Sequence, residues 1–326
     1  MMLVRFDMRS PEASPTERAD LYQAAVEMSV WAEAHGALTV VLSEHHASPD
    51  GYLPAPLVLA GAIAARTKTL PITVGAVLAA LHDPVALAEQ MVVLDHLSRG
   101  RISYTIELGY RPIEYEMFGR DFNRRGRRMD EVIAVLQQAL TGQSFTYGER
   151  PVQVTPASFT PGGPMINYGG GSVAAARRAG RFGLGFMGEG SDDPGRLEDE
   201  YRRAASEAGH EPGLFYVPEP GSATAVVVAA DVDRGWDTYG PYLLHDAQMY
   251  GQWMGAEKAA AAGSAARTVD ELRAEDGNYR VVDPAGAREV IATQGVLPLF
   301  PLVGGTPPEL AWQSLELVAD QVLTHD

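Results

Sequence analysis

Three consecutive titratable residues, Glu44, His45 and His46, directly follow the short apolar run Leu38–Leu42, which is typical of a strand buried on both faces. A carboxylate beside an imidazole can fix its tautomer and move its pKa into the working range, so Glu44 and His45 are candidates for general acid–base catalysis. The alternative is a surface turn with incidental histidines. No metal site is predicted, because the spacing is not His-Glu-x-x-His and consecutive strand residues point to opposite faces.

A second candidate is the run Gly169, Gly170, Gly171 and Ser172, which lies between a predicted strand and a predicted helix. Without Cβ atoms, backbone N–H groups can approach a phosphate closely, and Ser172 can cap the helix while offering its hydroxyl. A tight turn without a ligand is the alternative. The run also fits the dinucleotide pattern G-x-G-x-x-A through Ala174, but that pattern belongs to the first βα unit and this is the fifth.

The charge balance argues against nucleic acid as a partner. The chain has 26 Lys and Arg against 42 Asp and Glu, a net charge of −16 at pH 7, which repels the phosphates of nucleic acids and anionic membranes. Five arginines lie within residues 120–128. We interpret them as a helix start whose arginines pair with nearby acids such as Asp121, Asp130 and Glu131.

An aromatic stripe lies in the last third of the chain. Its members, Tyr242, His245, Met249 and Trp253, follow at spacings of three, four and four, which puts them on one helix face. Such a stripe is typical of a core or an oligomer contact. It can also roof a pocket for a flat cofactor or an apolar substrate.

Other chemistry is excluded by composition. The 326-residue chain has no cysteine, so disulfides, thiolate catalysis and cysteine-ligated metals are absent. Charged residues at Arg5, Asp7 and Arg9 are unlike a signal peptide, and no apolar run approaches the roughly 18 residues of a membrane span. We therefore expect a cytoplasmic protein without a membrane partner.

These groups need a scaffold, and strand-like and helix-like segments alternate along the whole chain. Eight predicted strands, each followed by a predicted helix, lie at about 3–8, 38–42, 72–78, 101–106, 165–168, 183–187, 224–230 and 296–303. Eight such units imply an α/β fold closed into a (β/α)8 TIM barrel. We predict a single domain over 1–326 with insertions at about 142–163 and 255–283 and a long loop over 109–122. Thr306 to Glu309 predicts a capping box for the last helix.

In such a barrel the active site lies at the C-terminal ends of the strands. Residues of interest fall at six of these ends: Met8, Glu44 to His46, Val77 with Leu78, Gly109 with Tyr110, Gly169 to Ser172, and Met187. We therefore predict that they surround one site.

Taken in order, the segments resemble the bacterial luciferase-like monooxygenases, a superfamily of (β/α)8 barrels that use FMN or the deazaflavin coenzyme F-420. The likeness spans nearly the whole chain. It is carried by residues 44–46, 83–85, 97–101, 109–119, 169–178 and 304–312.

The resemblance implies roles for individual residues. His45 matches the histidine that works beside the flavin, and Glu44 matches its neighbour at the cofactor. Residues 75–78 match a strand end where the family often places a non-proline cis peptide against the flavin ring. Residues 170–172 match the phosphate grip. The remaining implied cofactor contacts are Met8, Val77, Leu78, Gly109, Tyr110, Gly169 and Met187.

One position departs from the family pattern. Luciferase carries an arginine for the flavin phosphate one residue before the glycine at position 109, and here that residue is Leu108, preceded by Glu107. The change removes one phosphate contact, which disfavours tight binding of FMN and favours either apo protein or coenzyme F-420, with its different tail.

The resemblance implies a flavin-dependent oxidoreductase, specifically a monooxygenase that uses reduced FMN and O2 on a small organic substrate. A separate flavin reductase would supply the reduced cofactor, and the protein is expected to be a homodimer. Two alternatives remain open at this point: an F-420-dependent dehydrogenase or reductase, and a non-catalytic flavin-binding barrel.

Overall fold

The computed structural model describes residues 1–191, 193–254 and 264–323. Its strands, in chain order, are β1 (Met2–Phe6), β2 (Val40–Leu42), β3 (Ile72–Val77), β4 (Ile102–Ile106), β5 (Phe145–Tyr147), β6 (Arg150–Val152), β7 (Ile166–Gly169), β8 (Gly185–Met187), β9 (Phe215–Tyr216), β10 (Ala225–Val228), β11 (Tyr279–Val282) and β12 (Leu297–Leu299). Its α-helices are α1 (Pro15–Ala34), α2 (Pro56–Arg66), α3 (Pro84–Ser98), α4 (Pro112–Met117), α5 (Arg125–Ala139), α6 (Val173–Arg181), α7 (Pro194–Glu207), α8 (Val232–Met254), α9 (Val269–Glu275), α10 (Pro284–Gln294) and α11 (Pro308–Gln321).

Each predicted strand overlaps an observed one, and the α/β class with parallel strands is confirmed. Two short parallel strands, β9 and β11, were not predicted. The first has only two residues, which is too short for a periodic signal. Within the described residues, no helix is both long enough and apolar enough to cross a membrane.

Helix starts follow local sequence rules at several places. Ser14 and Glu17 form a capping box at α1, in which the Ser14 hydroxyl accepts from the Glu17 backbone N–H and the Glu17 carboxylate accepts from that of Ser14. The capping box predicted at α11 is wrong. The Thr306 hydroxyl donates instead to the carbonyl of Val303, at 2.8 Å.

The chain forms two compact units. The first comprises Met1–Leu42, Ser48–Pro54 and Glu219–Asp326. Its five strands run parallel in the order β11-β10-β12-β1-β2. Strand β10 is buried along its whole length and packs with the buried face of α8. Proline at 298 lacks an N–H group, but backbone bonds on both sides of it hold β12 in place. The Leu297 N–H donates to the carbonyl of Met1, and the Phe300 N–H donates to the carbonyl of Val226.

The second unit comprises Ser43–Ala47 and Ala55–Pro218. Its parallel strands lie in the order β3-β4-β7-β8-β9. Helices α6 and α7 pack closely at Gly180, where the lack of a side chain is required. A Cβ at this position would overlap the carbonyl oxygen of Tyr201. The grouping of residues 1–326 into one domain stays a prediction.

The predicted irregular segments contain more structure than expected. Residues 142–163 include the antiparallel hairpin β5-β6, whose turn has Gly148 at φ +62°. The predicted loop 109–122 contains α4, which has Pro112 at its first position. Of the predicted insertion 255–283, residues 255–263 lie outside the described residues, and the remainder holds α9 and β11.

The arginine-rich segment opens α5, as predicted. Arg124 pairs with Asp121 at 3.3 Å, and Arg128 pairs with Glu131 at 3.2 Å. The third predicted acid pairs elsewhere: Asp130 bonds to Arg178 of α6 at 2.6 Å. Acid pairing therefore accounts for two of the five arginines, while Arg120 and Arg125 donate to the backbone carbonyls of Leu81 and Phe122.

A buried ionic cluster forms in the first unit around Arg9, whose side chain is wholly inaccessible to solvent. Its Nε atom lies 3.1 Å from Asp7 and 2.8 Å from Asp246, and its Nη1 atom lies 2.6 Å from Asp50. A buried guanidinium group requires carboxylate partners, because an unpaired buried charge is energetically costly. The cluster was not predicted, because Asp50 and Asp246 lie far along the chain from Asp7 and Arg9.

Aromatic rings complete the surroundings of Arg9. The centre of its guanidinium group lies 4.6 Å from the ring of Tyr52, 4.9 Å from Tyr250 and 4.5 Å from Trp253. His245 bonds to Asp50 at 2.9 Å. Two members of the predicted aromatic stripe therefore serve this interior cluster, which favours the core interpretation for them.

Burial and the charge of Asp246 raise the pKa of Asp7 to about 8, against the opposing charge of Arg9. An acid whose pKa is higher in the folded state binds a proton more tightly there, so its contribution to stability is lost as pH rises from about 4 to about 8. Asp7→Asn should remove this component. The free energy of unfolding in urea would be measured from pH 5 to 8. As pH rises, it should fall more steeply for the wild type than for Asp7→Asn, by up to about 1.4 kcal/mol per pH unit. Parallel profiles for the two proteins would contradict the assignment.

Candidate active site

His45 lies in the segment that follows β2 and is buried, with 6% of its surface exposed. Its Nδ1 atom lies 2.9 Å from Glu114 Oε1, and its Nε2 atom lies 3.2 Å from the hydroxyl oxygen of Tyr110. A carboxylate can only accept, so we assign the proton of the neutral ring to Nδ1. Nε2 then accepts a hydrogen bond from the Tyr110 hydroxyl.

The carboxylate of Glu114 organises this part of the site. Besides His45, its Oε1 atom accepts from the backbone N–H of His46 at 2.9 Å and from Arg111 Nη1 at 3.0 Å. Burial raises the pKa of Glu114, but the hydrogen bonds from His45 and His46 and the charge of Arg111 outweigh it and lower the pKa below its ordinary value. The group is therefore a buried carboxylate facing an imidazole, an arrangement that orients a general acid or base.

Glu114 was not among the residues predicted from the sequence, which paired His45 with a different carboxylate, Glu44. In the structure Glu44 has other partners. Its Oε1 atom lies 2.8 Å from Nε2 of both His46 and His82, and its Oε2 atom accepts from the backbone N–H of Leu78 at 2.8 Å. Burial raises the pKa of Glu44, but these hydrogen bonds lower it to about 2.

Glu44, His46 and His82 each have one possible metal-ligand atom, and these atoms lie within 4.8 Å of one another, which is close enough to hold a metal ion. Both imidazoles bond to the same carboxylate oxygen at hydrogen-bond distance. Hydrogen bonding through that oxygen accounts for the arrangement.

The end of β3 has the distortion that the family resemblance implied. The Gly75–Ala76 peptide bond is cis, and the pairing with β4 shifts register between Gly75 and Val77. The Ser43 hydroxyl donates to the carbonyl of Gly75 at 2.9 Å. Leu78 is buried beside Gly109, since a Cβ at 109 would lie 3.2 Å from a Leu78 methyl group. These contacts bring Val77, Leu78, Gly109 and Tyr110 into the neighbourhood of His45.

The glycine run follows β7 and forms the start of α6. Ser172 is the N-cap, and its hydroxyl oxygen accepts from the backbone N–H of Ala175 at 3.2 Å. Gly170 has φ +134°, a conformation that favours glycine. Gly169 pairs with Met187 of β8 in the sheet register, so Met187 lies beside the turn.

A carboxyl group lies against this turn. A Cβ at Gly169 would overlap Oε1 of Glu107, the residue that follows β4. Glu107 shares a hydrogen bond with Glu189, and burial together with the charge of Glu189 raises its pKa well above the ordinary value. The pairing of Glu107 with Glu189 was not predicted. The one relevant sequence observation was that Glu107 and Leu108 precede Gly109 where the family pattern has an arginine.

Met8 belongs to the first unit. It follows β1, is fully buried and has φ +62°. Its role as a cofactor contact, like those of the other predicted site residues, stays a prediction.

Comparison with known proteins places the chain in a family. The alkanal monooxygenase alpha chain of Photorhabdus luminescens is 27% identical over 210 residues, which cover 62% of this chain and 57% of that protein. Shorter matches to three other bacterial proteins span 31% to 40% of their lengths. The chain therefore spans less than two thirds of these curated relatives.

Two solved structures share the fold over almost the whole chain. The oxygenating constituent of 3,6-diketocamphane monooxygenase of Pseudomonas putida, in complex with FMN, superposes with a TM-score of 0.69 at 21% identity, covering 99% of this chain and 97% of that one. An F-420-dependent secondary alcohol dehydrogenase superposes with a TM-score of 0.67 at 14% identity, covering 100% and 99%. The predicted α/β fold with parallel strands is thereby confirmed, and it is the fold that these structures share. The family model for luciferase-like monooxygenases matches residues 2–318, and the chain belongs to that family.

Proposed function

We propose that this protein is a flavin-dependent monooxygenase that uses reduced FMN and O2 to oxygenate a small organic compound. The observation that carries the proposal is His45, held between the Glu114 carboxylate and the Tyr110 hydroxyl in a buried site. Membership of the luciferase-like family supports the same activity.

The ring end of the site fits a flavin. Glu114 Oε2 is buried and has no hydrogen-bond partner among the described residues. A Cβ at Gly109 would lie 3.8 Å from this oxygen. A buried carboxylate oxygen without a partner is costly, and the N–H groups of a reduced flavin ring are suitable donors for it. The glycine turn at Gly169 does not fit a phosphate equally well, because carboxyl groups lie against it.

When bound, a reduced flavin supplies the two electrons that allow one atom of O2 to enter the substrate while the other leaves as water. The chain's own residues do the positioning. Glu114 holds the proton on Nδ1 of His45, so Nε2 can accept or return a proton together with the Tyr110 hydroxyl. Burial of His45, Glu114 and Arg111 keeps bulk water away from this proton path.

An F-420-dependent dehydrogenase or reductase is the second candidate. It is supported by the shared fold with the F-420-dependent alcohol dehydrogenase. The small organic substrate and the separate flavin reductase are part of the proposal. The homodimer and the cytoplasmic location stay predictions from the sequence.

The two candidates differ in their need for O2. Purified protein would be supplied with reduced FMN by a flavin reductase and with a panel of small ketones, aldehydes and alkenes under labelled O2. A product that carries one labelled oxygen atom supports the monooxygenase. Oxidation of an alcohol by F-420 without O2 would favour the dehydrogenase, and flavin binding without any turnover would favour a binding protein.

His45→Gln should lower the turnover number about 10²–10⁴-fold, the usual contribution of a positioned acid–base group. Its melting temperature should stay close to that of the wild type, since the amide N–H can still reach Glu114. His96→Gln, at an exposed histidine of α3, is the matched control and should keep full turnover. His46→Ala should mainly lower the melting temperature, because His46 bonds to Glu44 and packs against Phe118. Unchanged turnover in His45→Gln would refute the role of His45.

Glu114→Gln should lower turnover by about 10–100-fold, because a hydrogen bond to a charged group is worth about 1.5–3 kcal/mol. It should also move the acid limb of the pH–rate profile to lower pH, since the lost carboxylate stabilised the protonated form of His45. Glu116→Gln, at an exposed acid of the same helix, is the control. A lower melting temperature without a shifted acid limb would indicate a purely structural role.

A further inference from the structure

The glycine turn after β7 is occupied by acceptor oxygens of the protein itself. The Glu107 carboxyl group takes the space that a side chain at Gly169 would fill. A Cβ at Gly171 would lie 3.1 Å from the carbonyl oxygen of Gly190. Both glycines therefore have a structural explanation that involves oxygen atoms, whereas a phosphate would need hydrogen-bond donors at this place.

A second carboxyl group, that of the exposed Glu189, lies beside the half-buried Glu107. Burial, the charge of Glu189 and the hydrogen bond to it raise the pKa of Glu107 well above its ordinary value and favour its protonated form. Ionisation of either carboxyl group puts negative charge at the turn.

The arginines of α6 do not offset this charge at the turn. Arg177 pairs with Glu200 at 2.6 Å. Arg178 and Arg181 both pair with Asp130, at 2.6 Å and 2.8 Å. These side chains are therefore directed to other acids.

We propose that Glu107, together with Glu189, is a specificity-determining residue that disfavours a phosphate group at the glycine turn, so that this protein binds riboflavin more tightly than FMN. The inference rests on the proposed function and refines its cofactor: reduced FMN can serve, but riboflavin is the flavin that the site binds more tightly. A phosphate monoester carries close to two negative charges above pH 7 and would meet carboxyl and carbonyl oxygens. Riboflavin ends instead in a hydroxyl group, which can donate to a carboxylate oxygen.

The test compares the affinities of oxidised riboflavin and FMN for the full chain, by quenching of flavin fluorescence at pH 8 and constant ionic strength. For the wild type, riboflavin should bind at least about 10-fold more tightly. Glu107→Gln should tighten FMN binding about 10-fold, which corresponds to about 1.4 kcal/mol, while the affinity for riboflavin changes less than about 3-fold. Glu189→Gln should also tighten FMN binding. Because Glu189 is exposed, this substitution leaves the interior of the site unchanged.

Glu149→Gln is the matched control, because it removes one charge from an exposed turn of the same unit. It should leave both affinities unchanged. Wild-type protein that binds FMN more tightly than riboflavin, with no gain in Glu107→Gln or Glu189→Gln, would overturn the inference and leave the proposed function intact. Failure of the wild type to bind any flavin would overturn the proposed function and the inference with it.

Discussion

The site depends on one buried oxygen atom, Oε1 of Glu114. It accepts hydrogen bonds from the His45 ring, from the His46 backbone and from Arg111. Burial alone would favour the protonated acid, so the carboxylate depends on these three donors. The donors also depend on the carboxylate, because they come from two segments, one after β2 and one after β4. A single oxygen therefore fixes the position of the histidine relative to the loop that carries Tyr110.

Glu44 is a second buried carboxylate of the same unit that is held by several hydrogen bonds. In an extended segment, alternate side chains point to opposite sides, so Glu44 and His46 face one way and His45 the other. Glu44 therefore bonds to His46, to His82 and to the backbone of Leu78, directly after the distorted end of β3. The three titratable residues are divided between two tasks. One side of the segment holds the strand ends together, and the other presents the histidine.

Short-range patterns were enough to predict eight of the strands and to single out His45. Apolar runs and glycine turns lie within a few residues of each other, so they can be found without knowing the fold. The carboxylate partner of His45 could not be found in this way, because it lies 69 residues further along the chain. It also sits in a segment predicted as a loop, where α4 begins at Pro112. The error at Thr306 is local instead: the capping pattern was present, but the hydroxyl donates to the carbonyl of Val303.

The glycine run shows why a local pattern can leave the chemistry undetermined. Glycine records that some atom approaches the backbone closely, but it does not record whether that atom belongs to a ligand or to the protein. Here the sheet register decides the matter. Ile106 of β4 pairs with Tyr168 of β7, so the next residue along β4 faces the first glycine of the turn. The side chain at position 107 therefore controls what can approach Gly169. An acidic residue there places a carboxyl group where the glycines alone would suggest a phosphate.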